Sequence, residues 1–302
     1  MPEVTHIHVS RAESGQKLLQ FLERQLEGQV PRSAVMRWIR TGQVRVDGAR
    51  CKPFHRLQQG QTVRLPPHTR NKETKGLTVH SQNPFALRRV FEDQEILVLA
   101  KPPNLASQPG TGIRDSVSDR LQAEYAHSHW TPALVHRLDK ATSGLLLVAK
   151  TYTALQHLQN LWRAGKVTKV YLTWVWGLAK WPEWSHLSDQ LPKGKNENMH
   201  QVQAESWVRT LRQNSRASLL AVRLITGRKH QIRIQLARRG YPVIGDRKYG
   251  PGKSGGQGLL LHAAMLGWEE RFFQLSPPWG KPYAVSEEEM ALTVTSRPQS
   301  GE

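Results

Sequence analysis

From residue 96 onward the apolar residues fall in runs of strand length, and this limits most sharply what the chain can fold into. The longest, Ile96–Ala100 and Gly144–Ala149, fall far short of the roughly 20 residues that a bilayer span requires. Further strands are predicted at Lys169–Trp176, Gln203–Leu211, Ser218–Leu224 and His230–Gln235. Helical spacing near Ser116–Ala126, Thr153–Ala164 and Gln235–Arg239 predicts helices among them. The two patterns alternate without the regular spacing of repeated βα units, so an α+β fold is expected, not a doubly wound one. No internal repeat is visible. At 302 residues the chain can bury one large core, alone or beside a smaller one.

The first part of the chain reads as that smaller unit. Leu18, Leu19, Leu22 and Leu26 lie at helical spacing within Gly15–Leu26, with Phe21 beside them and Ser14 as the expected N-cap. Ser33–Arg40 repeats the pattern: Val35, Met36, Trp38 and Ile39 are expected inward, Arg32, Arg37 and Arg40 outward, and Gly42 as the stop. Gln43–Gly48 alternates like a strand, contains Arg45 and closes on an Asp-Gly turn; Gln61–Leu65 alternates again. Pro66–Val79 is polar, basic and opens on two prolines, as a linker does. The expected organisation is a small α+β domain over residues 11–66, a linker over 67–80, a large domain over 81–285 and a fraying tail over 286–302.

Charge indicates the partner. Lys and Arg outnumber Asp and Glu by 43 to 24, a formal net charge of +19. Each cation that neutralises a phosphate releases condensed counterions, so this excess suits a polyanion such as nucleic acid. The basic surplus lies on both sides of the linker, so both parts can touch one nucleic acid. A single cysteine, Cys51, excludes a disulfide framework and a cysteine-built zinc site. The N-terminus MPEVTHIHVS has neither a basic n-region nor an apolar h-region, so a soluble cytoplasmic protein without a secretory leader is expected. The histidines form no HExxH pattern, and GPGKSGG lacks the spacing of a phosphate-binding loop because Arg247 stands where its first glycine belongs. Four of the ten tryptophans crowd into Trp174–Trp184, where core packing is expected, not base stacking.

One stretch carries chemistry. In ALVHRLDKATSGLLLVAK, residues 133–150, the carboxylate of Asp139 is set among His136, Arg137 and Lys140 and precedes an apolar strand. Nearby cations favour its ionised form, which suits a nucleophile or general base. From spacing alone, an aspartate held in a loop salt bridge is the better fit. The motif HRLDKATSGLLLVAKT resembles the signature of the RluA-type pseudouridine synthases, H-R-L-D-x-x-T-S-G-L. Lys101–Asn104 and Pro109–Gly110 resemble the family's K-P-x-G…PG element, with Asn104 for glycine. Lys169–Gly177 resembles K-x-Y-x-A-x-V-x-G, with Thr173 for alanine. GRKHQIRI, residues 227–234, resembles G-R-T-H-Q-I-R-V, with Lys229 for threonine, and YPVIGDRKYG follows. Residues 13–65 are similar to an S4 domain, a small RNA-binding module, as in the RluC-like branch that modifies 23S ribosomal RNA.

The resemblance implies a mixed, mostly antiparallel central sheet with a catalytic cleft, preceded by the S4 domain. It implies exchange of the uracil N1–C1′ bond for a C5–C1′ bond, a reaction needing neither metal nor nucleotide cofactor. Asp139 is then the catalytic residue, Tyr171 packs on the uracil face, and Arg233 pairs with Asp139. Arg137 replaces the flipped base, since a stacked base cannot be reached in place, and His136 orients the loop. Arg228, His230, Arg32, Arg37, Arg40 and Arg45, together with Arg137 and His136, are the expected RNA contacts. The expected partner is 23S ribosomal RNA or its precursor, bound by a monomer. The competing reading is a non-catalytic S4-type factor for ribosome assembly, which would show a broken constellation.

Overall fold

In the computed structural model the described residues are 4–26, 30–67, 86–113, 115–126, 128, 130–193, 200–251 and 258–295. Residues 68–80 of the linker expected at 67–80 and most of GPGKSGG lie outside them.

The N-terminal unit contains β1 (Thr5–His8), α1 (Leu18–Gln25), α2 (Arg32–Arg40), β2 (Arg45–Val46) and β3 (Thr62–Leu65), with a three-stranded antiparallel sheet ordered β1-β3-β2. Its core gathers Leu18, Leu19, Phe21, Leu22 and Leu26 with Val35, Ile39, Val63 and Leu65, as the helical and alternating spacings predict. Asp47 and Gly48 take φ of 48° and 79°, the left-handed pair that a tight hairpin needs. Three details differ from expectation. Thr5–His8, read as no element in the sequence, pairs with Thr62–Leu65. The first helix begins at Leu18, so Ser14 caps nothing; Ser10 and Glu13 instead form a capping box one turn earlier. Met36 is an exposed side chain, not a core one.

This unit packs against the rest of the chain. The Arg24 guanidinium lies 3.5 Å from the Trp130 ring centroid, and Tyr152 Oη donates to Gln20 Oε1 at 3.0 Å. Burial pushes the Arg24 pKa down, while Glu13 and Tyr152 oppose that shift. A cation flat against an indole recovers part of the hydration it loses.

The larger unit is built on one ten-stranded sheet. In chain order its elements are β4 (Arg88–Glu92), β5 (Ile96–Lys101), α3 (Val117–Glu124), β6 (Ala133–Leu134), β7 (Ser143–Ala149), α4 (Tyr152–Arg163), β8 (Val167–Trp176), β9 (Ser185–Lys193), β10 (His200–Gln213), β11 (Ala217–Leu224), α5 (Gln231–Arg238), β12 (Leu261–Trp268), β13 (Arg271–Gln274) and α6 (Glu287–Thr295). The order is β4-β5-β7-β12-β8-β11-β10-β9, with β6 on β7 and β13 on β12. Every pairing is antiparallel except β7 with β12. All seven residues of β7 are buried: Leu145 and Leu147 pack with Leu158 of α4, and Leu146 and Val148 with Leu121 of α3. Burial on both faces explains why its sequence is a continuous apolar run and does not alternate.

Two sequence expectations are overturned. His230–Gln235 is not a strand; Gln231–Arg238 is a helix. Its alternation is deceptive because Gln231, Arg233 and Gln235 are buried along with Ile232 and Leu236. The tail does not fray at once: Glu287–Thr295 is a helix with Met290 and Thr293 buried and Glu289 paired to Arg212 at 3.0 Å. Ser286 and Glu289 cap its start reciprocally, the Ser-x-x-Glu signature of a helix N-terminus. The tryptophans pack as expected: Trp174, Trp176 and Trp184 share a core with Met290, and Trp181 stands edge-on to Tyr241.

Gly144 has φ +116°, and a Cβ there would lie 2.3 Å from the Ala263 carbonyl oxygen and 2.5 Å from its nitrogen. Gly144→Ala is expected to destabilise the fold by about 3 kcal/mol through strain and forced separation of β7 from β12, read as a lowered midpoint in urea unfolding.

Candidate active site

Asp139 sits in the loop that enters β7, and the surrounding chain immobilises that loop. Ser107 Oγ donates to the Leu138 carbonyl at 2.7 Å and accepts from the Leu138 N–H at 3.0 Å. Thr142 N–H donates to the Asp139 carbonyl at 3.1 Å, closing the turn. From β5, Lys101 Nζ donates to the carbonyls of Pro102, Leu105 and Lys140 at 2.9, 2.7 and 3.2 Å. Burial pushes the Lys101 pKa down to about 7 while Asp139 opposes it; three carbonyl acceptors require all three ammonium protons. Asn104, where glycine is usual, has φ 64°. Asparagine tolerates that left-handed conformation, so the substitution preserves the loop.

His136 packs within the loop that carries Asp139. Its Nε2 accepts from Leu147 N–H at 3.0 Å and its ring stacks on Trp162, centroids 4.3 Å apart and 17° from parallel. Burial, aided by Lys169, pushes its pKa down to about 3, so the ring is neutral. These contacts tie the ring to β7 and α4. Arg137, next in the chain, is exposed and lines the cleft.

The cleft measures about 100 Å³ and brings Arg137, Asp139, Tyr171, Arg228, His230 and Arg233 together from four parts of the chain. Tyr171 reaches it from β8, where it pairs with Ala263 of β12. Burial, reinforced by Asp139, raises the phenol pKa, so the hydroxyl keeps its proton. His230 precedes α5 with φ 55°; its Nε2 is 3.7 Å from Asp139 Oδ2, and its Nδ1 is 2.9 Å from Tyr249 Oη. Burial is the main cause that lowers its pKa, helped by Arg233, Lys248 and Lys229 and opposed by Asp139. Arg228 is exposed and donates from Nε to the Gln203 carbonyl at 2.8 Å.

Arg233 pairs with Asp139, as the resemblance implies, but holds a second carboxylate more tightly. Its Nε and Nη2 donate to Asp246 Oδ2 and Oδ1, both at 2.7 Å, whereas Nη1 lies 3.8 Å from Asp139 Oδ2. The hydrogen-bonded partner is thus Asp246, and Asp139 is a neighbour by charge only, since 3.8 Å is beyond hydrogen-bond length. The Asp246 side chain is 0% exposed and also accepts from the N–H groups of Lys248 and Tyr249. Burial would raise its pKa, but Arg233 and those N–H groups hold it below the ordinary value. Burial likewise opposes the Arg233 charge, and Asp246 more than offsets it. The Asp139 side chain remains one-third exposed, open to a ligand.

Sequence reasoning missed Ser107, Asp246 and Tyr249. The latter two stand in YPVIGDRKYG, whose match to the family carried a signal that was not turned into roles. Ser107 has no pattern of its own. Of the arginines expected to grip RNA from the N-terminal unit, Arg32, Arg37 and Arg40 are exposed on α2 and Arg45 is half-buried on β2. They lie outside the cleft; Arg32 pairs with Glu23 at 2.8 Å, and Arg45 donates to the Gly48 carbonyl at 2.9 Å.

A mostly antiparallel sheet with one parallel junction thus bears an aspartate loop, a tyrosine and an arginine around one cleft. The RNA pseudouridylate synthase family model matches residues 95–238. The ribosomal large subunit pseudouridine synthase C of Escherichia coli K12 is 36% identical over 288 residues, covering 88% of each chain. The protein of the same description from Vibrio parahaemolyticus is 33% identical over 282 residues, covering 87% of this chain and 88% of its own. The structure of human RNA pseudouridylate synthase domain containing 1 shares the fold, with a TM-score of 0.53 at 22% identity over 64% of this chain and 83% of that one. The chain belongs to the RluA-type RNA pseudouridine synthases.

Ser107→Ala would strand both backbone groups of Leu138. Each buried orphan costs about 1–3 kcal/mol, so a fall in Tm accompanied by slower isomerisation is expected, the latter because the Asp139 loop loses its clamp.

Proposed function

We propose that this protein converts uridines of large-subunit ribosomal RNA to pseudouridine, with Asp139 as the catalytic residue. The observation that carries the reading is the placement of Asp139, Tyr171 and Arg233 around one cleft. The 36% identity with the Escherichia coli enzyme over 88% of both chains supports the substrate class. A non-catalytic assembly factor would not need this constellation intact.

The chemistry is that of the family, and the site residues suit it as follows. The bond from uracil N1 to C1′ breaks and one from C5 to C1′ forms; C5 gives up its hydrogen as a proton to solvent and N1 takes one up, so the product is an isomer and no oxidant or reductant is needed. The partly exposed Asp139 carboxylate meets the reacting nucleotide as nucleophile or base. The protonated Tyr171 phenol walls the pocket, and its ring offers a flat face to the uracil. A base within folded RNA must leave its stack to enter so small a cleft, and Arg137 at the mouth can occupy the space that the base vacates. Residues 11–66 serve as an S4-type grip joined to the 81–285 catalytic domain through the 67–80 linker, with 286–302 as the C-terminal tail. Arg32, Arg37, Arg40 and Arg45 on the S4-type part meet phosphates outside the cleft.

Asp139→Asn should abolish tritium release from RNA carrying 5-tritiated uridine while RNA affinity stays within about twofold, because only the charge is removed; normal turnover would refute the assignment. Changing Arg32, Arg37, Arg40 and Arg45 together to Gln should flatten the plot of log affinity against log salt by about 3, at roughly 0.7–0.9 for each phosphate no longer neutralised. Filter binding across a salt series measures this, and an unchanged slope would remove the N-terminal unit from the RNA interface.

A further inference from the structure

Both groups that face Asp139 Oδ2 from α5 trace back to one residue that the reaction above does not use. Asp246 lies in the turn between α5 and β12, fully enclosed. One side of its carboxylate takes the Nε–Nη2 fork of Arg233. The Oδ1 atom also accepts from the N–H groups of Lys248 and Tyr249. This holds the Tyr249 ring where its hydroxyl meets His230 Nδ1 and its face lies 5.1 Å from the Arg233 guanidinium carbon. The turn itself is pinned by Gly245, at φ +80°, where a Cβ would lie 2.0 Å from the Gly258 carbonyl oxygen.

We propose that Asp246 is the positioning residue for Asp139: it holds Arg233 directly and His230 through Tyr249, so that both stand close to the reactive carboxylate without hydrogen-bonding it. The inference rests on the reading of Asp139 as the catalytic residue. Its physical content is a competition between two carboxylates for one guanidinium. A carboxylate gripped by a guanidinium fork is stabilised as the anion and has its lone pairs occupied, which lowers its basicity and nucleophilicity. At 3.7 and 3.8 Å, Asp139 keeps the electrostatic benefit of its neighbours while both oxygens stay free for the nucleotide. Asp246 takes the fork and balances most of the Arg233 charge.

Six groups face Asp139: Lys101 from β5, Arg137 from its own loop, Tyr171 from β8, Arg228 from the loop after β11, and His230 and Arg233 at α5. Of these, Asp246 binds Arg233 directly and reaches His230 through Tyr249. With Asp246 made neutral, Arg233 loses its anionic partner and is drawn to the next carboxylate. The Asp139 oxygens are then engaged by the guanidinium and less available to the nucleotide.

The test is single-turnover tritium release from a large-subunit ribosomal RNA transcript carrying 5-tritiated uridine, with RNA Kd measured on the same preparations. Asp246→Asn should slow the rate at least about tenfold and leave Kd within about twofold. Asp246→Glu keeps the charge and guards against a failure to fold; its rate should return to within about threefold of wild type. An unchanged rate in Asp246→Asn, a loss in Asp246→Glu as large as in Asp246→Asn, or a rate loss matched by an equal rise in Kd would each overturn the positioning role. Asp139→Asn measured alongside separates the two readings. If it is inactive while Asp246→Asn turns over at the wild-type rate, only the positioning role falls; if it turns over normally, both fall.

Discussion

The close approach of β7 to β12 at Gly144 is the constraint on which the site depends. Ala263 backbone atoms occupy the space where any side chain at position 144 would stand. That contact seats the start of β7 beside β12 in the one parallel pairing among the described strands, with Ser143 opposite His262. On its other edge β12 pairs antiparallel with β8, which sets Ala263 opposite Tyr171. Asp139 just before β7 and Tyr171 within β8 therefore open onto the same cleft. A second pin stands beside the first: Ser143 Oγ is 2.8 Å from His262 Nδ1, and His262 Nε2 is 3.0 Å from the Leu275 carbonyl. Burial pushes the His262 pKa down to about 4 while the Leu275 carbonyl opposes it, so the link is a neutral hydrogen-bonded one.

Around this frame, charge is divided between attraction and control. The exposed arginines of α2 and of the cleft mouth belong to a basic surface suited to a polyanion. Inside, a few cations are tied to specific acceptors: Lys101 to three carbonyls, Arg233 to Asp246. In a low-dielectric pocket an untied cation would collapse onto the nearest carboxylate or be costly to bury. The ties leave Asp139 near positive charge yet free of a direct bond to it. The buried Arg233–Asp246 pair gains from its geometry, because the fork and two further N–H donors occupy the carboxylate more fully than a single contact would.

How much could be read in advance varied with where each segment's partners lie. The helices of the N-terminal unit were legible because their apolar residues face one local core at helical spacing. The run Leu145–Ala149 was legible as a strand because two-sided burial demands continuous apolarity. HQIRIQ was misleading because its polar residues are buried too. Gln231 binds the Glu205 carbonyl and Thr226, and Gln235 binds Asp189, Ser206 and the Ala204 carbonyl. All but Thr226 come from β9 and β10, distant in sequence, so no local periodicity could reveal them. The helix at 287–295 carries a Ser-x-x-Glu cap in its sequence but was missed because its acidic run resembles a tail. At the site, Asp139, Tyr171, Arg233 and Arg137 were found through motif resemblance. Ser107 carries no pattern, and its role exists only because its hydroxyl meets Leu138.

The sequence by itself determined an α+β protein with a basic surface and a small N-terminal unit. It also determined an aspartate set among cations before a buried strand. These follow from local spacing, composition and motif, which act along the chain. The tertiary structure alone decided which carboxylate holds Arg233. Asp139 and Asp246 are both acids in family-like motifs, and nothing in their spacing ranks them. Packing ranks them: the turn pinned by Gly245 buries Asp246 completely and aims two backbone N–H groups at it, making it the better anion site for the guanidinium. Asp139, one-third exposed at the cleft, is left at a distance at which charge is still felt and its oxygens remain free.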